Sequence, residues 1–425
     1  MQYAATEQTD DLWLVLPHLG PGGAQKVALL AAGFFIAKGW RVRLVTMLPG
    51  PAQAHAIPAG LLVTDLAPDV DALWEKDHWN RSLLARARHY LAPKRWVHRA
   101  LACLVMGPLV VLLEPVQPGQ RCWRSRLLQW CLKGIDGPSS FELERLFKRH
   151  CPTRVVSFLS RTNMRICSAL WWRDCHLVVS ERNDLRKQQL QFPWPSFRRL
   201  LYRRADVLTA NTTGVMDSLV PLFQARQVAL LPNPLPMPVV PAAVGSAGER
   251  KGFITVARLV PQKGIDVLVR AFAQTSCAAQ DWSLTLVGDG PEREALERQV
   301  LQAGLEGKVH FLGFRSDPQT FLLQAGVFVL PSRFEGMPNA LLEAMAAGLA
   351  VVVTDASPGP LEVVEAGVSG LVVPSDEPAA LANALDRLAA EPQLRERLGA
   401  AARETLRQSD WPVVGLIWES LVDQR

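Results

Sequence analysis

Two runs of alternating strand-like and helix-like segments constrain the fold of this 425-residue chain more than any other feature. The first run starts at the apolar segment 12–16, the second starts near residue 253, and a proline-rich segment at 231–241 separates them. Alternation of short buried strands with helices is typical of parallel sheets that carry helices on both faces. A chain of this length also exceeds one ordinary hydrophobic core. We therefore predict an α/β protein with two doubly wound, Rossmann-like domains that face a cleft.

The expected domain boundaries follow from the alternation and from composition. We place an N-terminal domain at 1–235, a proline-rich linker at 236–249 and a C-terminal domain at 250–405. The segment 406–425 is expected to form a last helix that packs back across the hinge. Within the N-terminal domain, about 71–135 is expected to be a basic insertion.

One motif, 331–348, combines an anion site with two carboxylates. It follows an apolar segment that is expected to be a buried strand. Pro338 suits the first position of a helix and Gly348 the position just past its end, which places Glu335 on a loop and Glu343 inside the helix. A helix N-terminus after a strand favours an anion. Because carboxylates repel anions, we expect them to face neutral hydroxyl groups, and a sugar phosphate or a nucleotide sugar offers both.

Two cations flank the predicted start of another helix. Arg258 and Lys263 lie between a strand and the helix that opens at Gly264. Arginine binds a phosphate in a bidentate manner and lysine acts as a point charge, so the pair suits a diphosphate. Such a pair is often plain surface charge, but its position at the carboxyl end of a strand favours a functional role.

Several other chemistries are not supported by the sequence. The glycine pair Gly22-Gly23 after the first strand lacks the GxGxxG pattern of a nicotinamide dinucleotide site. No HxxxH or DxD-type cluster stands in a plausible position, so we predict no essential metal, and no GxSxG elbow occurs. The seven cysteines form no CxxC pair, which is typical of reduced thiols in a cytosolic protein. The polar, acidic N-terminus does not have the composition of a signal peptide.

The positive charge is concentrated in the N-terminal half. Between Arg81 and Lys133, ten lysines and arginines oppose one acid, whereas the net charge of the whole chain is +6. The uncharged segment 100–113 is too short to span a bilayer, which takes about 20 residues. Two interpretations of this segment remain: a buried core helix, or a helix that lies in the lipid interface. The basic flanks and nearby tryptophans favour the second interpretation. A second basic cluster follows residue 194, namely Arg198, Arg199, Arg203 and Arg204. We hypothesise peripheral binding to an anionic membrane face.

These residues together resemble a known family. The chain is similar to family 4 retaining glycosyltransferases of the GT-B fold, of the type that builds bacterial polysaccharides and lipid-linked oligosaccharides. Glu335 to Glu343 matches the E-x7-E signature of that family, Arg258 with Lys263 matches its diphosphate clamp, and Gly22-Gly23 matches its N-terminal glycine loop.

The resemblance implies roles for single residues. Glu335 would contact the donor hexose, Glu343 the ribose hydroxyl groups, and Arg258 with Lys263 the pyrophosphate. With Glu335, these two cations would be the catalytic set. Arg315 would lie by the base. The implied donor-binding set is Gly22, Gly23, Arg258, Lys263, Arg315, Glu335, Gly336, Met337, Pro338, Asn339, Ala340, Leu341 and Glu343.

The acceptor side is less well matched. The segments 157–163 and 180–184 are similar to those of bacterial members that extend polyprenyl-linked or surface oligosaccharides. The histidine that some members use near the acceptor has no match in the first segment. The resemblance therefore implies Arg161, Asn163 and Glu181 as the acceptor-side residues, with Glu181 in place of the histidine.

The implied activity is retaining transfer of a hexose or N-acetylhexosamine from a nucleotide-diphosphate sugar. The resemblance favours UDP over GDP, no metal or other cofactor, and a lipid-linked or surface-polysaccharide acceptor at the cytoplasmic membrane face. A nucleotide-sugar epimerase of similar fold and a non-catalytic sugar-binding or scaffold protein remain alternatives. A nucleic-acid partner would explain the charge but not the paired glutamates. The sequence leaves open the donor sugar, the linkage and the oligomeric state.

Overall fold

The computed structural model describes most of the chain in two compact units. The described residues are 9–48, 50, 53–66, 118–119, 123–124, 126–127, 138–186, 188, 194–220, 227–235 and 250–424. The N-terminal unit comprises Met1–Asn211, Val215–Leu231 and Gly415–Arg425, and the C-terminal unit comprises Thr212–Gly214 and Pro232–Val414. The predicted linker and nearly all of the predicted basic insertion lie outside the described residues.

The N-terminal unit is built on a seven-stranded parallel sheet. Its strands are β1 (Leu12–Leu16), β2 (Val42–Thr46), β3 (Leu62–Asp65), β4 (Arg154–Phe158), β5 (His176–Glu181), β6 (Val207–Ala210) and β7 (Val228–Leu230). They lie in the order β3-β2-β1-β4-β5-β6-β7. Leu14 is opposite Leu44 on one side and Val156 on the other, and β1 is buried along its whole length. Continuous apolar strands of this kind are expected when helices cover both faces of a parallel sheet.

The helices of this unit alternate with its strands. They are α1 (Gly23–Ala37), α2 (Pro138–His150), α3 (Ser160–Ala169), α4 (Trp194–Leu201) and α5 (Thr213–Leu219). One face of the sheet and helices α2 to α5 enclose a hydrophobic core that includes Trp13, Trp171 and Tyr202.

The C-terminal unit repeats the plan with six parallel strands. These are β8 (Phe253–Val256), β9 (Leu284–Val287), β10 (Val309–Gly313), β11 (Val327–Leu330), β12 (Ala350–Thr354) and β13 (Leu371–Val373), in the order β10-β9-β8-β11-β12-β13. Successive side chains of β11 pack on opposite faces of the sheet: Val327 and Val329 belong to one hydrophobic core, and Phe328 and Leu330 belong to the other. This alternation follows from the two-residue period of a strand.

The helices of the C-terminal unit cover both faces of its sheet. They are α6 (Ile265–Ala273), α7 (Arg293–Gln302), α8 (Pro318–Leu322), α9 (Asn339–Ala346), α10 (Pro358–Leu361), α11 (Pro378–Ala390) and α12 (Pro392–Thr405). The last helix, α13 (Trp411–Val422), returns the chain to the N-terminal unit. Its ring of Trp418 lies 6.3 Å from that of Phe158, and the carbonyl of Leu421 lies 2.8 Å from Nε2 of His176.

Each sheet has one point at which the strand order reverses. In the N-terminal unit this point lies between β1 and β4, and in the C-terminal unit between β8 and β11. Loops that leave the carboxyl ends of such a strand pair diverge to opposite faces and form a crevice where ligands bind. The predicted doubly wound α/β architecture is confirmed for both units, and it places the loops after β8 and β11 side by side.

Candidate active site in the C-terminal unit

The centre of the candidate site is an ion pair between two predicted site residues. Lys263 ends a short 3-10 turn (Pro261–Lys263) after β8, and Glu335 lies in the loop after β11. Because β8 and β11 are adjacent, Nζ of Lys263 lies 2.5 Å from Oε1 of Glu335. Their side chains are only 15% and 8% exposed. The site therefore holds one cation and one carboxylate in contact at the switch point of the sheet.

Hydroxyl groups fix the Glu335 loop. Ser332 Oγ donates to the Glu335 carboxylate at 2.6 Å, and the amide of Glu335 donates to Ser357 Oγ at 2.9 Å. Thr354 Oγ1 donates to the Ser332 carbonyl at 2.6 Å. None of these three residues was predicted from the sequence. A signal was present, because Thr354 ends β12 and Ser357 follows it, next to the loop of β11.

Helix α9 presents an uncapped N-terminus to the same region. It begins at Asn339, and no side chain caps it. Pro338, which we expected at the first helical position, is instead the preceding residue, with φ −77° and ψ 120°. Glu343 lies inside the helix, as predicted, and its side chain is buried. The helix ends at Ala346, before Gly348 at φ +72°. The first-turn amides point out of this end, although that of Leu341 also donates to the Pro338 carbonyl at 3.1 Å, and together with the helix dipole they make it suitable for an anion.

Asn233 supports the start of α9 and was missed from the sequence. Its Nδ2 donates to Oδ1 of Asn339 at 2.7 Å and to the carbonyl of Met337 at 3.1 Å. The side chain is buried. A polar residue between two prolines at 232 and 234 was the available signal, but the segment was interpreted only as a linker.

The other predicted donor-side cations are more exposed. Arg258 lies in the loop after β8, and within the described part of the chain its guanidinium makes no hydrogen bond or ion pair. Arg315 follows β10, at the edge of the sheet, and its guanidinium lies 5.9 Å from the centre of the Phe321 ring. The structure brings Lys263 and Glu335 together and leaves Arg258 and Arg315 in solvent.

The predicted glycine loop lies in the N-terminal unit, directly before α1. Gly22 is so close to Gln25 that a Cβ on it would lie 2.2 Å from Oε1 of that side chain. His55, which the sequence reasoning did not select, is near this loop. Burial lowers the pKa of His55, and the neighbouring charge of Lys26 lowers it further. His55 is therefore neutral at physiological pH.

The expected acceptor-side residues differ in accessibility. Arg161 is exposed, whereas Asn163 and Glu181 are buried. Asn163 Nδ2 lies 3.3 Å from Oε1 of Glu181, which also accepts a hydrogen bond from Tyr202. Ser160 Oγ donates to Oε2 of Glu181 at 2.9 Å. Desolvation raises the pKa of Glu181 despite these bonds. This geometry suits a carboxyl group that organises its neighbours more than one that touches a substrate.

The second basic cluster is half buried, contrary to our expectation of a charged surface. Arg204 donates to the carbonyls of Leu170, Arg173 and Cys175 at 2.8 to 2.9 Å. Arg198 is also buried, and its guanidinium bonds Gln188 at 2.8 Å. The sequence shows four arginines but not that two of them satisfy polar groups inside the unit.

Within the described ranges, no group of three or more His, Cys, Asp or Glu side chains is arranged to hold a metal ion. No described helix is both long and apolar enough to cross a bilayer.

Comparison with known proteins identifies the segment that holds this site. Residues 239–405 match the family model of glycosyl transferases group 1. The C-terminal unit belongs to the group 1 glycosyltransferases. The resemblance inferred from the sequence is thereby confirmed, and Lys263, Glu335 and Glu343 all lie within the matched segment of this glycosyltransferase family.

Two curated relatives carry related names. The chain is 30% identical over 209 residues to the lipopolysaccharide core biosynthesis glycosyltransferase LpsE of Rhizobium meliloti, with 48% of this chain and 60% of the relative covered. It is 28% identical over 215 residues to an N-acetylgalactosamine-N,N'-diacetylbacillosaminyl-diphospho-undecaprenol 4-alpha-N-acetylgalactosaminyltransferase of Campylobacter jejuni, with 50% and 58% covered. The chain thus spans less than two thirds of the length of these glycosyltransferases.

A solved structure shares the fold over nearly the whole chain. HepE of Anabaena, determined in complex with UDP and glucose, superposes with a TM-score of 0.69 at 18% identity and covers 98% of this chain and 100% of HepE. The expected GT-B fold of the chain is therefore confirmed.

Proposed function

We propose that this protein is a retaining glycosyltransferase that moves a hexose or N-acetylhexosamine from a UDP-sugar to a glycan or lipid-linked acceptor. The observation that carries the proposal is the contact of Lys263 with Glu335 beside the uncapped N-terminus of α9. This contact lies in the segment that matches the group 1 glycosyltransferases.

The donor combines an anionic diphosphate with neutral sugar rings, and the site offers a matching group for each. Lys263 and the first amides of α9 would bind the diphosphate. Arg258, which is exposed, would add a second cation. Glu335 would accept hydrogen bonds from hexose hydroxyl groups and Glu343 from those of the ribose.

In the proposed reaction, the bond between the anomeric carbon and the diphosphate oxygen breaks. The bond from that carbon to the acceptor oxygen forms on the same face, and the acceptor proton passes to the leaving diphosphate. Charge develops on the diphosphate, and preorganised donors aimed at it typically contribute about 3–4 kcal/mol each. The proposal assigns this role to Lys263, Arg258 and the α9 amides and requires no metal or other cofactor.

The structural relative HepE supports the choice of UDP as the nucleotide, since it was determined with UDP and glucose. The names of the two curated relatives support an acceptor in lipopolysaccharide or a diphospho-undecaprenol glycan. Both inferences are proposals for this chain.

We also propose a peripheral position on the cytoplasmic membrane face. Trp123 is 62% exposed, and the guanidinium of its neighbour Arg124 lies 5.4 Å from the ring centre. An exposed tryptophan beside a cation suits a lipid interface. Co-sedimentation with anionic liposomes at low salt tests this, and its absence there would exclude membrane binding.

The test of the activity combines binding with turnover. A thermal-shift screen of UDP- and GDP-sugars should select a UDP-sugar, because a ligand at 100 times its Kd adds about 2.7 kcal/mol to the unfolding free energy. UDP release should then require both this donor and a lipid extract. Conversion of the donor sugar without an acceptor would indicate an epimerase, and binding without any reaction would indicate a scaffold protein.

A further inference from the structure

A second ion cluster lies beside the candidate active site and joins its two loops. Arg333 stands two residues before Glu335, and its guanidinium forms a bidentate pair with Asp266 in the first turn of α6 at 2.8 and 2.9 Å. Its Nε donates to Asp376 Oδ1 at 2.8 Å, and its Nη1 donates to the carbonyl of Pro261 at 2.6 Å. One side chain therefore bonds three separate segments of the C-terminal unit.

Backbone contacts reinforce the same junction. The amide of Arg333 donates to the carbonyl of Gln262 at 2.8 Å, and Nε2 of Gln262 donates to the carbonyl of Phe334 at 2.9 Å. Gly264, at φ +61°, lies so close that a Cβ on it would come 2.1 Å from the carbonyl oxygen of Pro331. The turn that carries Lys263 is thus in direct contact with the loop that carries Glu335.

From this geometry we infer that Arg333, held by Asp266 and Asp376, is a positioning residue that fixes Lys263 and Glu335 relative to each other for glycosyl transfer. Nothing in the structure requires it to touch the donor. The inference rests on the proposed function for its consequence in turnover, but the junction itself can be measured without substrate.

Energetics favour the arrangement over an ordinary surface pair. An isolated exposed ion pair contributes little to stability, but here one guanidinium has two carboxylate partners and one carbonyl partner. Burial tends to raise the pKa of Asp266, yet the bond to Arg333 holds it below the ordinary value of 3.8. Asp266 therefore stays ionised at neutral pH. Lysine could not reproduce this set of bonds, because it lacks the planar, five-donor fork.

A matched control is built into the same helix. Arg270 also pairs with Asp266, at 3.3 Å, but its side chain is 52% exposed and, within the described part of the chain, makes no hydrogen bond or ion pair to either loop. Arg270→Ala removes the same charge from the same carboxylate and leaves the junction intact. A difference between Arg333→Ala and Arg270→Ala therefore reports the junction and not the charge.

The first measurement is hydrogen–deuterium exchange of the substrate-free full chain. Arg333→Ala should speed exchange in peptides covering 259–264 and 331–337 at least about tenfold, while Arg270→Ala leaves both at the wild-type rate. Equal exchange in the two variants would overturn the inference, whatever the wild-type protein catalyses.

The second measurement is UDP release from the donor with lipid extract, beside UDP binding by calorimetry. Arg333→Ala should lower kcat about 30-fold and change the Kd of UDP less than about threefold, because small displacements cost turnover more than ground-state binding. Arg333→Lys should recover only part of this loss.

Asp376→Asn, at a half-exposed carboxylate, serves if Arg333→Ala does not fold, and it should lower kcat about threefold. If the wild type is active and Arg333→Lys and Asp376→Asn turn over as fast as the wild type, the positioning role of Arg333 is overturned while the proposed function stands. Altered exchange in an inactive wild type would support the junction and overturn the proposed function.

Discussion

The ammonium of Lys263 lies 2.5 Å from a carboxylate oxygen of Glu335, although 72 residues separate the two along the chain. Each residue lies in a loop at the carboxyl end of one of two adjacent strands, β8 and β11. A diphosphate that binds Lys263 has to compete with Glu335 for the ammonium. Hydroxyl groups of the donor sugar can then donate hydrogen bonds to Glu335 in place of the bond from Lys263. If the pair binds the donor as proposed, it would couple recognition of the diphosphate to recognition of the sugar.

Removal of either member of this pair should abolish most turnover. We expect Lys263→Ala and Glu335→Ala each to lower kcat about 10²- to 10³-fold, since a preorganised contact to the donor is lost. Each change should also lower the unfolding free energy by about 2 kcal/mol, because it leaves the partner charge uncompensated in a nearly buried site. Urea titration and UDP release measure the two effects.

The double variant Lys263→Met/Glu335→Gln separates stability from activity. Compared with the single variants, it should regain most of the lost unfolding free energy, because neither charge remains uncompensated, but it should regain none of the turnover. Near-normal transfer by either single variant would contradict the assignment of the site.

Asn233 should tune nucleotide affinity through the start of α9. Asn233→Asp places a negative charge beside the helix end that is expected to bind the diphosphate, and we expect the Kd of UDP to rise about tenfold. Asn233→Ala removes the bonds to Asn339 and Met337 without adding charge and should raise it only about threefold. Isothermal titration with UDP measures both, and equal effects would show that electrostatics plays no part.

Arg204 should be a stability residue and not a membrane contact. Its guanidinium donates to one buried and two partly buried carbonyl groups, so Arg204→Ala should lower the unfolding free energy by about 3 kcal/mol. Arg199→Ala, at an exposed neighbour, should change it by less than about 0.5 kcal/mol. Urea unfolding measures both, and a result in which the two variants are equally stable would contradict the structural role.

The buried carboxyl group of Glu181 should make stability depend on pH. Desolvation raises its pKa above the ordinary 4.5, so the folded state binds more protons than the unfolded state above that pH. The contribution of Glu181 to the unfolding free energy is therefore greatest below pH 4.5. This contribution is lost as the pH rises through the pKa of Glu181 in the folded state.

Glu181→Gln mimics the protonated form and should remove this contribution. The amide oxygen can accept the bonds from Tyr202 and Asn163, while its NH₂ group donates to Ser160, which in turn donates to Gln188. Urea unfolding between pH 5 and 8 should show a smaller pH slope for the variant, and an unchanged slope would exclude Glu181 as the titrating group.

Much of the fold was predictable because its strands are short apolar runs bounded by turn signals. The limits of β1 are those of the apolar segment 12–16 from which the first strand was predicted. No strand was predicted at the positions of β3 and β7. Both lie at the edge of the sheet, where half-exposed residues give a weaker apolar pattern.

For the candidate site, the sequence determined which residue types were available, because the cations, the glutamates and the helix signals are local patterns. It could not show that Lys263 pairs with Glu335, that Arg333 joins their loops, or that Asn233 supports α9. These contacts join residues 67 to 106 positions apart. Only the strand order, which places β11 beside β8, brings them together. A local sequence pattern carries no information about which distant strand pairs with a given strand, so only the tertiary structure determines these contacts.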